Sequence, residues 1–397
     1  MLFCNKEKVT PRERLLKVIN GEIPDRVPVS LFIHDEGNFL KQVCPELNLD
    51  NPFGCKLKLI DFEKEIGLDI ILRMLHGMTP FWISYGGLNT ETQTANWEVS
   101  LKEYEKGESL VKSYLIKTPK KELLQEFSIS EIAPGTFSYA CTKKPIRNIE
   151  DLEVAIKYEP PMNRDYPEKV KDMVTKVKAY LGNYGITSVW VPGGSFNAAS
   201  NLINLDMLYS LFLTDKIFFE KLMGFCIKRT FPFIEAICNS GVDTVSIGGN
   251  VPGGFLGPKI YEEYALPYEK KYIEFAKSKG VKTIYHNCGQ IMGLIDSYKK
   301  LGSDIVEPFS PPPLGDGDLK EAKEKANGKF VIIGNVDQVN VLQKGSTNLV
   351  REVTKKTVEI GKTEGKYILQ SADYLEYDTP MDNVKAYIET GIKYGRY

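Results

Sequence analysis

Eight short apolar segments, rich in β-branched residues, alternate with helix-like segments along most of the chain. We place them at Arg26–Ile33, Asp69–Leu75, Ser188–Val191, Asp243–Ile247, Thr283–Tyr285, Asp304–Val306, Lys329–Ile333 and Lys366–Leu369. Strands that alternate with helices form a parallel sheet whose outer face the helices cover. Eight such units predict an α/β fold, the (β/α)8 or TIM barrel, with its active site at the carboxyl ends of the strands. The alternative is an open doubly wound sheet, but no G-x-G-x-x-G turn follows the first segment to support its dinucleotide-binding form.

Two further features complete the predicted organisation, a single barrel domain over residues 1–397. Thr10 and Glu13 form a capping box around Pro11, which indicates a helix before the first strand. An insertion at about residues 81–160 breaks the alternation of strands and helices. Within it, apolar residues alternate with polar ones over Trp97–Leu101 and return over Leu110–Ile116, which predicts a β-hairpin. Helix-like segments follow the hairpin as far as the prolines at 160 and 161.

The charge balance and cysteine content exclude several classes of protein. With 51 Lys+Arg and 52 Asp+Glu residues, nothing in the overall charge favours a nucleic acid partner. No apolar run is long enough to cross a membrane, and the first ten residues lack the apolar core of a signal peptide. Seven cysteines, an odd number in a long chain, are typical of a reducing compartment. We therefore expect a cytoplasmic protein.

The three histidines of the chain all lie at or just after the ends of predicted strands. They are His34, His76 and His286, and in a barrel they would surround the same mouth. Cys288 follows His286 by two residues, so both side chains project to one side of the strand end. An imidazole and a thiol directed at one point are suitable ligands for zinc. The stretch therefore predicts a polar or metal-binding site, although a buried histidine beside a buried cysteine is the structural alternative.

Other polar residues occupy comparable positions after the strands. These strand-end residues are Asn250, Glu307, Asn335, Asp337 and Asp373. Any of them could instead cap a loop, and this alternative is strongest for Asn335 and Asp337.

Several ordered motifs resemble the uroporphyrinogen decarboxylase superfamily and, within it, the cobalamin (corrinoid)-dependent methyltransferase branch. The motifs are TPRERLLKVINGEIPDRVPV at 10–29, GVDTVSIGGN at 241–250, YALPY at 264–268, YHNCG at 285–289, GNVD at 334–337 and DTPMDNV at 378–384. The resemblance covers nearly the whole chain apart from the insertion. It implies a (β/α)8 barrel and a zinc site of the form His-x-Cys plus a distant cysteine.

The zinc motif of the branch is matched in part. His286 and Cys288 occupy the first two ligand positions, but no cysteine follows Cys288 in the chain. Alignment on Asp378-Thr379-Pro380 places Asp373 where the distant cysteine would lie, and a carboxylate can bind zinc. The resemblance therefore implies His286, Cys288 and Asp373 as the ligands, with Glu307 as a substitute for Asp373.

The sequence also looks like the methyltransferases that demethylate methoxylated aromatic compounds. That resemblance implies O-demethylation, in which Zn²⁺ polarises an aryl methyl ether and the Co(I) corrinoid of a partner protein accepts the methyl group. Around the metal ligands and Glu307, we expect substrate contacts from His34, His76, Asn250, Asn335 and Tyr374. Trp82, Tyr85 and Tyr374 could line an aromatic pocket, with ordinary packing as the alternative.

Other functions remain open from the sequence. A methyl-corrinoid to thiol or folate methyltransferase would use nearly the same site. A uroporphyrinogen decarboxylase would need cationic groups for its substrate, whereas the segment after the first strand is acidic at Asp35 and Glu36. A metal- or corrinoid-binding barrel without turnover is the non-enzymatic alternative. We also expect the insertion to cover the mouth or to form a partner or dimer surface, and we favour a homodimer.

Overall fold

The computed structural model of the chain describes residues 9–34, 37–74, 93–134, 136–191, 194–249 and 256–397. In these ranges the strands are β1 (Ile70–Met74), β2 (Gln93–Thr94), β3 (Trp97–Lys106), β4 (Ser109–Lys117), β5 (Glu122–Ala133), β6 (Thr136–Lys143), β7 (Gly185–Trp190), β8 (Thr244–Gly248), β9 (Lys282–His286), β10 (Ile305–Glu307), β11 (Val331–Val336) and β12 (Tyr367–Ser371). Strands β1 and β7–β12 form a parallel sheet in which each strand pairs with its neighbour in the chain. Sequential order of this kind is the signature of a wound α/β sheet.

Helices connect the strands and cover the sheet. They are α1 (Pro11–Ile19), α2 (Asn38–Val43), α3 (Pro52–Ile66), α4 (Ile149–Tyr158), α5 (Tyr166–Leu181), α6 (Ser195–Leu202), α7 (Leu205–Thr214), α8 (Lys216–Asn239), α9 (Pro258–Ile260), α10 (Leu266–Ser278), α11 (Ile295–Leu301), α12 (Leu319–Ala326), α13 (Thr347–Lys362) and α14 (Met381–Tyr394). The predicted capping box of α1 is confirmed, since Thr10 and Glu13 each accept from the backbone of the other. None of the helices in the described ranges combines the length and apolar character needed to cross a membrane.

The extended segment at residues 27–33 closes the sheet into a barrel. The Asp69 amide donates to the Val29 carbonyl at 2.8 Å, next to β1, and the Ser30 amide donates to the Leu369 carbonyl at 2.9 Å, in β12. Val29 and Leu369 form a parallel bridge. The first predicted strand therefore lies between the two edge strands, and the predicted TIM-barrel fold is confirmed.

One buried carboxylate fixes this closure. Asp69 accepts from the Val29 amide at 2.7 Å and from Arg26 at 2.6 Å through one oxygen, and its other oxygen pairs with Arg14 of α1. All four residues are buried. Removal of one partner from a buried ion pair leaves an uncompensated charge, which costs free energy. This cluster therefore holds α1, the closing segment and the start of β1 in one arrangement.

The barrel interior is organised in layers. The lowest layer is one aliphatic cluster, to which α1 contributes at the amino-terminal ends of the strands: Leu15, Val18, Ile19, Ile71, Ile186, Ile284, Ile305, Val331, Ile333 and Ile368. Two residues further along a strand, a side chain points to the same side. The next layer is therefore polar and faces the mouth: Arg73, Ser188, His286, Glu307, Asn335 and Gln370.

The insertion contains more β-structure than we predicted. Strands β2–β6 form a separate antiparallel sheet of five strands, of which β3 and β4 are the predicted hairpin. The helix-like interpretation of the following residues is wrong over β5 and β6, where one long antiparallel pairing continues the sheet. Alternation is weak there, since β5 contains polar residues on both faces, and pairing with β4 decides the structure. Thr136 of β6 donates to Asn38 of α2 at 3.1 Å, which joins the sheet to the mouth side of the barrel.

A second carboxylate holds α1 at the floor of the barrel, and it generates a test of the fold. Asp243 accepts from Arg12 at 2.6 Å, from Lys178 at 3.0 Å and from the Thr187 amide at 2.9 Å. Burial alone would raise the pKa of Asp243, but these hydrogen bonds outweigh burial and hold the pKa at about 2.

We expect Asp243→Asn to lower the free energy of unfolding by about 1–2 kcal/mol at neutral pH. The folded-state pKa lies below the ordinary value of 3.8, so the stabilisation is present above that pH and is lost as the pH falls towards 2. Denaturant unfolding between pH 3 and 7 measures this difference, and Asp172→Asn, in an exposed pair with Lys176, is the control. A difference between wild type and Asp243→Asn that did not shrink below pH 4 would contradict this assignment.

Candidate active site

Three side chains with metal-binding atoms meet at the mouth of the barrel. His286 ends β9, Cys288 follows it, and Asp373 lies two residues beyond the end of β12. The His286 Nε2 atom is 2.9 Å from the Cys288 sulfur, which is 3.5 Å from Asp373 Oδ2. One ligand atom from each residue lies within 4.8 Å of the other two. The structure thus brings together the three residues that the sequence analysis proposed as zinc ligands.

Glu307 supports this group from behind. Its Oε1 is 3.0 Å from His286 Nδ1, and its Oε2 accepts from Arg73 Nη2. The same Nη2 lies 3.3 Å from Gln370 Oε1. Because both oxygens of Glu307 are engaged away from Cys288, the geometry favours Asp373 over Glu307 as the third ligand. Glu307 instead fixes the orientation of the His286 ring.

The electrostatics of the group favour positive charge at His286. Burial by itself lowers the pKa of His286, but Cys288 and Glu307 outweigh burial, and the pKa lies well above its ordinary value. Burial would raise the pKa of Glu307, but the charge of Arg73 and the contact with His286 reverse this effect and lower the pKa. Several acceptors therefore converge on one point where a cation is stabilised.

The donor set suits zinc. Histidine nitrogen, cysteine sulfur and carboxylate oxygen are all zinc ligands, and catalytic zinc sites use three protein ligands with one position open for substrate or water. The contact of Glu307 with Nδ1 leaves Nε2 of His286 directed at Cys288, as a metal-binding histidine requires. The residues present therefore fit a zinc ion.

Aromatic side chains form a wall beside these residues. The ring of His34 lies 4.7 Å from that of Tyr374 and 5.2 Å from that of Phe32, measured between centroids. The His286 ring is 5.3 Å from Trp190 and 6.4 Å from Phe32. His34 and Tyr374, both proposed as substrate contacts, therefore border the cluster of His286, Cys288 and Asp373.

The remaining predicted site residues divide into two groups. Asp337 caps the helical turn Gln338–Gln343 by accepting from the amides of Val339 and Asn340, as its loop-cap interpretation predicted. Asn335 is buried in the polar layer, paired in register with Gln370. The predictions for His76, Trp82, Tyr85 and Asn250 lie outside the described residues.

Sequence reasoning missed four residues of this pocket, namely Phe32, Arg73, Trp190 and Gln370. Arg73 gave a usable signal, because an arginine in the apolar strand Ile70–Met74 must have a partner in the barrel interior. Gln370 in the strand Tyr367–Ser371 gave the same signal. Neither segment indicated which residue on another strand would be that partner.

Comparison with known proteins agrees with the family resemblance. The model of the family described as uroporphyrinogen decarboxylase (URO-D) matches residues 131–394, well over half of the chain. The chain is 27% identical to a methylcobamide:CoM methyltransferase (MtbA) of Methanosarcina acetivorans over 222 residues, which cover 55% of this chain and 62% of the relative. A uroporphyrinogen decarboxylase of Prochlorococcus marinus is 24% identical over 253 residues, which cover 62% of this chain and 69% of that enzyme. The chain thus spans about three fifths of the methyltransferase relative.

A solved structure described as a methyltransferase from Methanosarcina mazei has the same fold. Its TM-score is 0.68 at 16% sequence identity, and the alignment covers 97% of this chain and 99% of the other. This match supports the barrel fold of the described residues. The family is shown by the match over residues 131–394: the chain belongs to the uroporphyrinogen decarboxylase family.

Proposed function

We propose that this protein is a zinc-dependent methyltransferase, which moves a methyl group from a methoxylated aromatic compound to the Co(I) corrinoid of a partner protein. The observation that carries the proposal is the convergence of His286, Cys288 and Asp373 at the mouth of a barrel in this family. The similarity to a methylcobamide:CoM methyltransferase supports corrinoid-dependent chemistry within the family. The corrinoid protein would approach the mouth, because the methyl group must reach its cobalt.

The third ligand supports an oxygen-bearing substrate. A carboxylate is a harder ligand than the thiolate that the methyltransferase branch carries at this position, so Asp373 makes the site less suited to binding a thiolate substrate. When bound, Zn²⁺ would act as a Lewis acid towards an ether oxygen and stabilise the negative charge that develops as the methyl group leaves.

The protein's own residues position the substrate. Glu307 orients His286 and keeps its Nδ1 occupied, so that Nε2 remains available as a ligand. Phe32, His34 and Tyr374 form one contiguous aromatic wall beside the three ligand atoms, which suits an aromatic ring held by edge and face contacts. The imidazole of His34 can donate or accept a hydrogen bond at another substituent of the ring.

The insertion contributes to the same mouth. Its sheet is joined to α2 through Thr136 and Asn38, and α2 follows the closing segment. We infer that this sheet forms part of the surface that covers the mouth or receives a protein partner. Self-association as a homodimer remains a prediction.

A second candidate is methyl transfer from a methyl-corrinoid to a thiol. The observation that favours it is the relative's name, which specifies methylcobamide as donor and CoM as acceptor. The same three residues would serve, and only the substrate would differ. The ratio of ether to thiol turnover separates the two candidates.

The metal assignment is tested by measuring zinc content. We expect about one zinc per chain in protein purified without chelator. His286→Ala, Cys288→Ala and Asp373→Ala should each lose most of it, because each removes one of three protein ligands. Glu307→Gln should retain the ligands but bind zinc about 10–100-fold more weakly, since it weakens the hydrogen bond that orients His286.

Elemental mass spectrometry gives the zinc content, and competition with a chelator gives the affinity. Cys44→Ser is the matched control, because Cys44 is a free cysteine at the end of α2 and should not affect zinc. A wild-type protein that took up no zinc when zinc was offered would overturn the metal assignment.

The methyl donor is tested by turnover. We expect methoxyarene demethylation with a Co(I) corrinoid acceptor in the wild type and near-background activity in His286→Ala. Asp373→Cys should retain zinc but shift turnover from ethers towards thiols, because a third soft ligand favours a thiolate substrate. Product formation with both substrate types gives the ratio, and an unchanged ratio in Asp373→Cys would contradict the role of Asp373. Wild-type rates of demethylation in zinc-free His286→Ala would refute the proposed function.

A further inference from the structure

Arg73 is a buried cation whose hydrogen-bonding capacity is only partly used. Its side chain is 3% exposed and projects from β1 into the polar layer of the barrel. The Nη2 atom contacts both Glu307 and Gln370. A guanidinium has five N–H groups, so these two contacts leave the other donors unaccounted for.

Those other donors are buried. Neither Nε nor Nη1 of Arg73 has a hydrogen-bond partner among the described residues, although both atoms are inaccessible to solvent. An unmatched buried donor costs free energy, and it is retained in native proteins where something else satisfies it. Three N–H groups of Arg73, one on Nε and two on Nη1, are thus buried without a partner among the described residues.

The unmatched donors border the candidate active site. The guanidinium carbon of Arg73 lies 4.5 Å from the centroid of the Phe32 ring, so one face of the guanidinium is covered. A ligand must therefore approach in the guanidinium plane, where N–H groups point. Phe32 is also in contact range of His34 and His286, which places Arg73 at the base of the same pocket.

We propose that Arg73 is a specificity-determining residue that binds an acidic oxygen group, a carboxylate, on the small-molecule substrate. This inference rests on the proposed function only in that the substrate occupies the same pocket. Guanidinium donors form their strongest hydrogen bonds with oxyanions, and Glu307 occupies only one side of the group. The carboxylate would belong to a methoxylated aromatic acid or, if the acceptor is a thiol, to an acidic thiol.

Ligand binding tests this without turnover. In calorimetric titrations of the zinc-loaded protein, we expect benzoate to bind at least about 10-fold more tightly than benzamide, its neutral isostere. Arg73→Lys should lose most of this preference, since an ammonium keeps the charge but cannot reproduce the in-plane donors. Arg147→Met, which removes an exposed arginine from the surface, is the control and should retain the preference.

A double variant separates substrate binding from support of Glu307. Arg73→Gln alone removes one of the two partners of the buried Glu307 carboxylate. We therefore compare Glu307→Gln with Arg73→Gln/Glu307→Gln. Neither variant carries a buried unpaired carboxylate at position 307. We expect Glu307→Gln to keep the preference for benzoate and the double variant to lose it. Equal preference in these two variants would overturn the assignment, because Arg73 would then act only through Glu307.

Turnover identifies the source of the carboxylate. Preference for methoxybenzoate over its neutral amide would assign Arg73 to a methyl donor, whereas preference for 3-mercaptopropionate over 3-mercapto-1-propanol would assign it to a thiol acceptor. Either preference should disappear in the double variant. Benzoate binding that depends on Arg73, in a protein that transfers no methyl group, would refute the proposed function alone. Absence of any wild-type preference for benzoate over benzamide would overturn the role of Arg73.

Discussion

The candidate site depends on the contacts of one buried carboxylate, that of Glu307, with Arg73 and His286. Glu307 is 1% exposed in the barrel interior, where an isolated charge would be too costly to retain. Arg73 from β1 and His286 from β9 compensate it on its two oxygens, so three strands are linked across the interior. Removal of one partner would leave the others as buried unpaired groups. The position of the His286 ring, and with it the meeting of Nε2 with Cys288 and Asp373, therefore follows from a charge balance between the neighbouring strands β9 and β10 and the distant strand β1.

This charge balance is feasible because the barrel separates apolar from polar layers along each strand. Side chains two residues apart point the same way, so an aliphatic residue near the strand start is followed by a polar residue nearer the mouth. Ile284 precedes His286, and Ile305 precedes Glu307, while Ile71 precedes Arg73. The aliphatic layer and α1 close the floor and supply apolar burial. The polar layer can then contain charged groups, because the apolar residues buried below it still stabilise the fold.

The fold was predictable from the sequence because eight strand-helix units each carry a local signal. His286 and Cys288 were predictable as a pair because the alternation of side-chain direction along a strand is also a local property. Asp373 was one of several polar residues at strand ends, and it became a candidate metal ligand only through family resemblance, since nothing near it in sequence indicates that its side chain meets His286 and Cys288. The sequence indicated that Arg73 and Gln370 are polar residues in buried strands, but it did not indicate that they contact each other. That contact depends on which strands barrel closure brings together. Strands β5 and β6 were missed because pairing with β4, rather than their own alternation, determines them.

The position of Asp373 in its loop also bears on the chemistry. Its Oδ1 accepts from the amide of Tyr374 at 2.8 Å, which directs Oδ2 towards the Cys288 sulfur. The carboxylate is thus oriented by its own backbone, whereas His286 requires Glu307 for the same purpose. A cysteine at this position would have a single sulfur atom for both the backbone contact and the site, whereas the carboxylate uses a separate oxygen for each. The local structure therefore favours a carboxylate here, and in the proposed function a harder third ligand would favour an oxygen-bearing substrate over a thiol.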